Sequence, residues 1–395
     1  MNRTVTSARG TDPLPSPYFR EEHDLLRRQV RRFVETEIKP FASAWEEQGF
    51  VPREVLRRMG ELGFFGIRYP AQYGGSELDT MGSVVLAEEL GRSSFGGVAV
   101  TALVHAEMAS VHIANFGSAE QKARYLPDII AGRTITAIAV TEPDAGSDVK
   151  GIRTNARREG ESFVINGAKM FITNGVYADL YCVAAKTAPE ARASQSISML
   201  LVDKGTPGLK VSRALDKTGW RSSDTAELAF EDCRVPADHL LGREGGGFYS
   251  IMRNFQNERI VLGAMAMGEA EEALDLTLDY VTTRKAFGAT LYDKQVVRQR
   301  LAMLATQVEA GRLLVYHAAW LDAQGIECTR EVSMVKAYCC ELVNEVMYAC
   351  VQFHGGMGYM RESTIERMAR DARVHSIGGG ATEVMLEEVA KRLRR

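Results

Sequence analysis

The stretch ESFVINGAKMFITNG, Glu161–Gly175, decides how this chain is read. Phe163 and Ile165 alternate with smaller or polar neighbours, the period of a strand. Asn166-Gly167 stands between two such runs, a combination that signals a β-hairpin. The segments LYCVAAKT, SISMLLVDKG, GLKVSRAL and AELAFEDCRVP follow, each short and bounded by Gly, Pro or polar residues. Residues 134–241 therefore read as a compact β domain without a long helix. Outside it the period is helical. In EEHDLLRRQVRRFVETEIKPF (residues 21–41), Leu25, Val30, Phe33, Val34 and Ile38 form one apolar stripe, and Pro40 ends the helix. Val98–Gly117 is apolar on most faces, which implies burial. Beyond Gly245, the run Phe248–Arg284 contains no proline, and its middle, IVLGAMAM (260–267), is apolar all round. Two more long helices are expected at 293–324 and 329–355. The chain is thus mainly α with a central β domain: a lead-in (1–18), an N-terminal α-helical domain (19–133), the β domain (134–241) and a C-terminal helical bundle (242–395).

Composition narrows the function. The chain has 395 residues, 45% hydrophobic, with a formal charge of −3, which gives no reason to expect a nucleic-acid partner. The six cysteines show no C-x-x-C spacing, so neither a zinc ribbon nor a disulfide framework is implied. No apolar run reads as membrane-spanning, and the first residues lack the apolar core of a secretory signal. They read as a disordered lead-in to a soluble, cytoplasmic protein. Motifs for a nucleophilic serine, a zinc protease and a P-loop are absent, and no metal site is expected. GGMGYM (355–360) lacks the third glycine of a dinucleotide fingerprint and follows a helix.

Two segments are unusual on composition alone. AVTEPDAGSD (139–148) crowds Thr, Glu, Gly, Ser and Asp after an apolar strand, which is also what a polar turn looks like. QFHGGMGYMRESTIERMARDAR (352–373) places three glycines within four residues between helices, suggesting close backbone approach to something flat or phosphorylated. His354 beside them suits packing or local hydrogen bonding. SIGGGATEV (376–384) adds three consecutive glycines before a last amphipathic helix.

AVTEPDAGSDVKG and QFHGGMGYMRESTIERMARD resemble the two signature segments of the acyl-CoA dehydrogenase family. YPAQYGGS, INGAKMFITNG, ELAFEDCRVP and TRKAFG are similar to other segments of that family, and the order holds from Phe19 to the end. The resemblance implies an acyl-CoA dehydrogenase-like fold: a helical domain, a β-barrel-like domain and a four-helix bundle. It also implies FAD, a homotetramer, an acyl-CoA substrate and electron-transfer flavoprotein as electron acceptor, with no membrane insertion. By that resemblance Ile138, Val140, Thr141 and Ser147 hold the isoalloxazine, Phe171 shields it, and Thr173 brings a hydroxyl near N5. Arg284, Phe287 and Gln295 would reach the neighbouring subunit's FAD together with Gln352, Gly355 and Gly356. Ala381, Thr382 and Glu383 would close over the flavin.

Many relatives carry the catalytic base as a glutamate at the position of Gly379, and a glycine accepts no proton. QNERIVL (256–262) resembles the isovaleryl-CoA and long-chain branch, in which the base stands on the long helix. That match puts the base at Glu258, beside an apolar run that implies burial. Gly379 N–H would then hydrogen-bond the thioester carbonyl from the opposite side. Substrate contacts fall to Ser147, Tyr249, Gln256, Asn257, Arg259, Gly379 and Gly380, and Gly263 with Ala264 could widen the acyl pocket. Glu383 is a rival base by composition. The reaction implied is α-proton removal with β-hydride transfer to flavin N5, giving a 2,3-enoyl-CoA. Two alternatives stand beside it: a flavin oxidase on the same fold, and a non-enzymatic flavin-binding protein that lost the loop glutamate.

Overall fold

The computed structural model describes residues 16–188 and 190–393. Among the described residues seven α-helices come first: α1 (Glu21–Phe33), α2 (Ala42–Gln48), α3 (Arg53–Glu61), α4 (Thr80–Gly91), α5 (Gly96–Leu103), α6 (Val111–Phe116) and α7 (Ala119–Ile130). The apolar stripe of α1 is carried by Leu26, Val30 and Phe33, while Leu25 is 54% exposed. The stripe was thus expected one residue early at its start. A π-helical turn, Val34–Ile38, continues it and brings Val34 and Ile38 inward before Pro40. Residues 1–15 of the expected lead-in lie outside the described residues; Tyr18, at its end, packs its ring 6.0 Å from that of Tyr316.

The stretch Gly96–Phe116 meets the length and hydropathy of a membrane span, contrary to the expectation that no run would. It is nevertheless 94% buried inside the protein. Every residue of α4 is buried too, so α4 and this stretch form the helical core.

Eight strands follow: β1 (Thr136–Ala139), β2 (Asn155–Glu159), β3 (Ser162–Thr173), β4 (Leu180–Lys186), β5 (Ile197–Asp203), β6 (Leu209–Ala214), β7 (Thr225–Pro236) and β8 (Leu240–Leu241). Their order is β6-β7-β3-β2-β4-β5-β8, with β1 added parallel to β4. Side chains from the two halves of the sheet, Phe163 and Leu228 with Tyr181, Val183 and Leu200, share one core, as in a sheet curled onto itself. Asn166-Gly167 is not the hairpin turn. β3 runs through it, and the pairing with β7 shifts register between Ile165 and Gly167, a β-bulge. The hairpin lies one turn earlier, where Glu159 pairs with Ser162 across Gly160-Glu161. A side chain at 167 would collide with Thr154, 2.4 Å away, so the glycine serves close packing.

The C-terminal part consists of α8 (Gly247–Thr283), a hairpin of β9 (Lys285–Ala286) and β10 (Ala289–Thr290), α9 (Gln295–Ala323), α10 (Thr329–His354), α11 (Thr364–Ala372) and α12 (Thr382–Ala390). Ile260–Met267 are buried without exception, as their sequence requires. Gly263 does not widen a pocket. A Cβ there would lie 2.3 Å from Val335 Cγ1 of α10, and Ala264 is wholly buried in the core. Gly263 thus lets α8 and α10 approach each other.

Candidate active site

Strand β1 has two apolar faces. Ala137 and Ala139 point into the β core, whereas Ile138, with Val140 beyond it, borders the cluster containing α6, α7 and Ile251 of α8. Met252 and Phe255 of α8 pack against that same cluster. The β domain and the first third of α8 thus share one apolar cluster. The polar turn after β1 is set from beneath by a buried ion pair, Lys169 Nζ to Glu142 Oε1 at 2.8 Å. Lys169 also donates to Val140 O at 2.9 Å, and Glu142 accepts from the N–H groups of Arg153 and Thr154. Burial pushes the Lys169 ammonium down to about 8, with Glu142 opposing the change. Burial works to raise Glu142, but Lys169 and the backbone donors outweigh it and hold the carboxyl low.

Thr141 O accepts from Met170 N at 2.9 Å, which joins this turn to β3. There the register shifts again, between Lys169 and Ile172. Phe171 sits in the left-handed region at φ +61, with its ring 64% exposed. A strained, solvent-facing aromatic is a poor element of a lone protein and a good wall for a flat ligand. Thr173 is half-buried two residues on, and Ser147 is exposed on the turn.

On α8, Asn254 and Asn257 tie the helix to a second π-helical turn, Val104–Ala109, by donating to Met108 O (2.9 Å) and Glu107 O (2.8 Å). Such a turn departs from the α-helical bonding pattern, and here its carbonyls take side-chain donors. Asn257, expected in the substrate passage, is buried and donates through Nδ2 to Glu107, while its Oδ1 has no partner among the described residues. Tyr249 is exposed, and half-buried Gln256 donates to Thr329 Oγ1. Glu258, two residues after Gln256, is half-buried and turned toward the glycine loop. A Cβ built on Gly379 would lie 3.1 Å from Glu258 Oε1, 2.3 Å from Leu262 Cδ1 and 3.6 Å from Lys336 Cε. The helix carboxyl and the loop glycine thus meet at one point. Burial raises the Glu258 pKa above the usual carboxylate range, and the positive charges of Arg259 and Lys336 partly offset this. Arg259 makes no ion pair among the described residues. Its guanidinium lies 5.3 Å from the Phe255 ring, and its buried Nε has no partner.

The loop is shaped by Val374 O, which accepts from the N–H groups of Ile377 and Gly378. Gly379 (φ +64) and Gly380 (φ +110) then take conformations that favour glycine. Among the described residues Gly379 N–H has no acceptor. Ala381 and Thr382 are half-buried at the start of α12, and Glu383 is exposed in its first turn, an ordinary place for an acid near a helix N-terminus. The sequence reading missed what holds this loop. Lys336 Nζ donates to His375 O (2.5 Å) and Gly380 O (2.9 Å), and His375 Nε2 meets Glu269 Oε2 at 2.9 Å. The available signal was a lysine at a buried helical position, among Val332, Val335, Cys339 and Cys340.

The remaining expected residues lie elsewhere. Arg284, Phe287, Gln295, Gln352, Gly355 and Gly356 are all exposed at the far end of α8. Tyr280 and His354, with rings stacked at 4.4 Å and Tyr280 Oη donating to His354 O, hold the ends of α8 and α10 together there. Phe287 is 96% exposed at φ +51, and side chains at Gly355 or Gly356 would meet nothing. Along α8 the residues from Glu258 to Arg284 span about 39 Å at 1.5 Å per residue. One chain therefore does not gather both groups around one point.

Comparison with known proteins agrees with this architecture. Residues 20–133, 137–233 and 245–394 match the families described as acyl-CoA dehydrogenase N-terminal, middle and C-terminal domains. The long-chain specific acyl-CoA dehydrogenase of Mus musculus mitochondria is 41% identical over 376 residues, 95% of this chain and 87% of that protein. The crystal structure of an acyl-CoA dehydrogenase from Geobacillus kaustophilus has a TM-score of 0.92 at 41% identity, covering 96% of this chain and 100% of that one. A structure of PigA in complex with FAD has a TM-score of 0.91 at 28% identity, covering 95% of this chain and 98% of that one. Three domains matched in order, with relatives aligned over nearly the whole length, place this chain in the acyl-CoA dehydrogenase family.

Proposed function

We propose that the protein is an FAD-dependent acyl-CoA dehydrogenase whose catalytic base is Glu258. The observation that carries this reading is the convergence of the Glu258 carboxyl and Gly379 on one point, 3.1 Å from oxygen to the built Cβ. A helix carboxylate there takes the place of the loop glutamate. The α-proton of a thioester is weakly acidic, so its removal needs both a positioned base and a polarised carbonyl. Glu258 accepts that proton, and Gly379 N–H, which has no acceptor among the described residues, donates to the thioester oxygen. Leu262 Cδ1 packs against the same point, 2.3 Å from the built Cβ.

The residues suit FAD. Phe171 offers a flat wall beside Thr173 and the Val140–Thr141 edge, and the Gly355–Gly356 shelf stands open for a pyrophosphate. FAD, when bound, supplies the acceptor for the β-hydride, so that the product is a 2,3-enoyl-CoA. Because the two groups of cofactor residues lie at opposite ends of α8, a second copy of the chain completes each site. A homotetramer provides that arrangement, and electron-transfer flavoprotein takes the electrons onward.

The test is anaerobic mixing of the yellow holoprotein with a panel of straight and branched acyl-CoAs. Loss of flavin absorbance with at least one of them is expected, with slow reoxidation by air and fast reoxidation by electron-transfer flavoprotein. Rapid peroxide release would make the protein an oxidase, and a flavin that no acyl-CoA bleaches would overturn the reading.

A further inference from the structure

Lys336 is 1% exposed, lies on α10 and forms no ion pair among the described residues. An ammonium has three donors and no acceptor, and burying one without acceptors is costly. Two of its donors go to His375 O and Gly380 O, the carbonyls at either end of the glycine loop. Its Cε lies 3.6 Å from the point where Glu258 Oε1 comes within 3.1 Å. The side chain therefore holds the loop that presents Gly379 and comes near the same point as the carboxyl of Glu258.

We propose that Lys336 is a positioning residue for the base: its ammonium closes the glycine loop across His375 and Gly380, and its positive charge favours the carboxylate form of Glu258. The proposal deepens the reading of Glu258 as base and rests on it. Two charged groups bear on Glu258, Arg259 from its own helix and Lys336 from α10; Glu388 and Arg392 of α12 act on Arg259. Of the two cations, only Lys336 also holds the loop. A buried carboxyl far from any cation would stay protonated at neutral pH and could not accept a proton. The buried lysine answers both needs with one group.

The test is an infrared titration of the FAD-loaded protein without substrate. The Glu258 carboxyl band is identified as the one lost in Glu258→Gln. In Lys336→Gln, which keeps an amide donor and loses the charge, the titration midpoint should rise by about 1–3 pH units, the usual effect of an opposite charge at close range. Lys336→Arg, which keeps the charge, should hold the midpoint within about half a unit of wild type, well inside the range that losing the charge would cover. An unmoved midpoint in a folded, flavin-loaded Lys336→Gln would overturn the proposal and leave Lys336 as a clip alone. Should Lys336→Gln not fold, Lys336→Arg decides, because a rise of a full unit with the charge retained would refute the electrostatic role. The titration needs no turnover, so it stays informative even if no acyl-CoA bleaches the flavin.

Discussion

Glu258→Gln perturbs the site least and reports most. The amide keeps the shape of the carboxyl, so the contacts at the Gly379 point, with Leu262 and Lys336 around it, persist. A positioned general base is worth a factor of roughly 10²–10⁴, or about 3–5 kcal/mol of barrier. Among the described residues Glu258 supplies the carboxylate nearest that point, while Glu383 is exposed and Glu269 is engaged with His375. The variant should therefore bind FAD and acyl-CoA normally while flavin reduction slows by two to four orders of magnitude, roughly the whole worth of the base. Stopped-flow absorbance under anaerobic conditions measures that rate directly. The pH profile gives a second readout. Burial raises the Glu258 pKa, so the wild-type rate should climb with pH through a midpoint above the usual carboxylate value of about 4.3. The variant should lose this limb. Adding Gly379→Glu to Glu258→Gln restores a carboxylate to the loop. The new residue must accept φ +64 and displace Leu262 Cδ1, which lies 2.3 Å from its Cβ. The tip of a leucine can move, so partial recovery is expected, and further recovery when Leu262→Ala makes room. A Glu258→Gln protein that reduces its flavin at the wild-type rate would refute the assignment.

Gly263→Val would push a side chain into Val335. It should cost about 1–3 kcal/mol of stability, seen as a lower Tm, and leave the ranking of acyl-CoA substrates unchanged. Arg284→Ala, at the far end of α8, should weaken FAD retention and oligomerisation together; size-exclusion chromatography with flavin absorbance separates these, and a monomer retaining full FAD would contradict the shared site. The third concerns His375, which Glu269 holds at about 10 against the opposing effect of burial. Because its folded pKa is raised, the stabilisation is complete below the unfolded value of about 6.5 and is lost as pH rises through about 10. Glu269→Gln should therefore lower Tm at pH 7, and the gap from wild type should narrow toward pH 10.

Much was legible in the chain because it is local. The change from helical to strand period, the all-round apolar run 260–267 and the turn chemistry of 139–148 depend on neighbours in sequence, and the elements formed accordingly. The motifs carried the family, and QNERIVL pointed to Glu258 although the loop had lost its carboxylate. What the sequence could not show was decided by contacts between distant segments. Asn166-Gly167 has the composition of a turn, yet pairing with β7 draws it into a bulge. Gly263 reads equally well as pocket space and as helix contact until α10 places Val335 against it. Asn257 turns inward because a π-helical turn 150 residues earlier offers its carbonyl. Lys336 stands among buried helical positions in the sequence, but its two acceptors appear only when the glycine loop folds over it. Short-range pattern determines which elements form, since backbone geometry and burial period are set within a few residues. The partner of each polar side chain is chosen only when the domains close, because desolvation makes an unpaired buried donor costly and packing decides which acceptors are within reach.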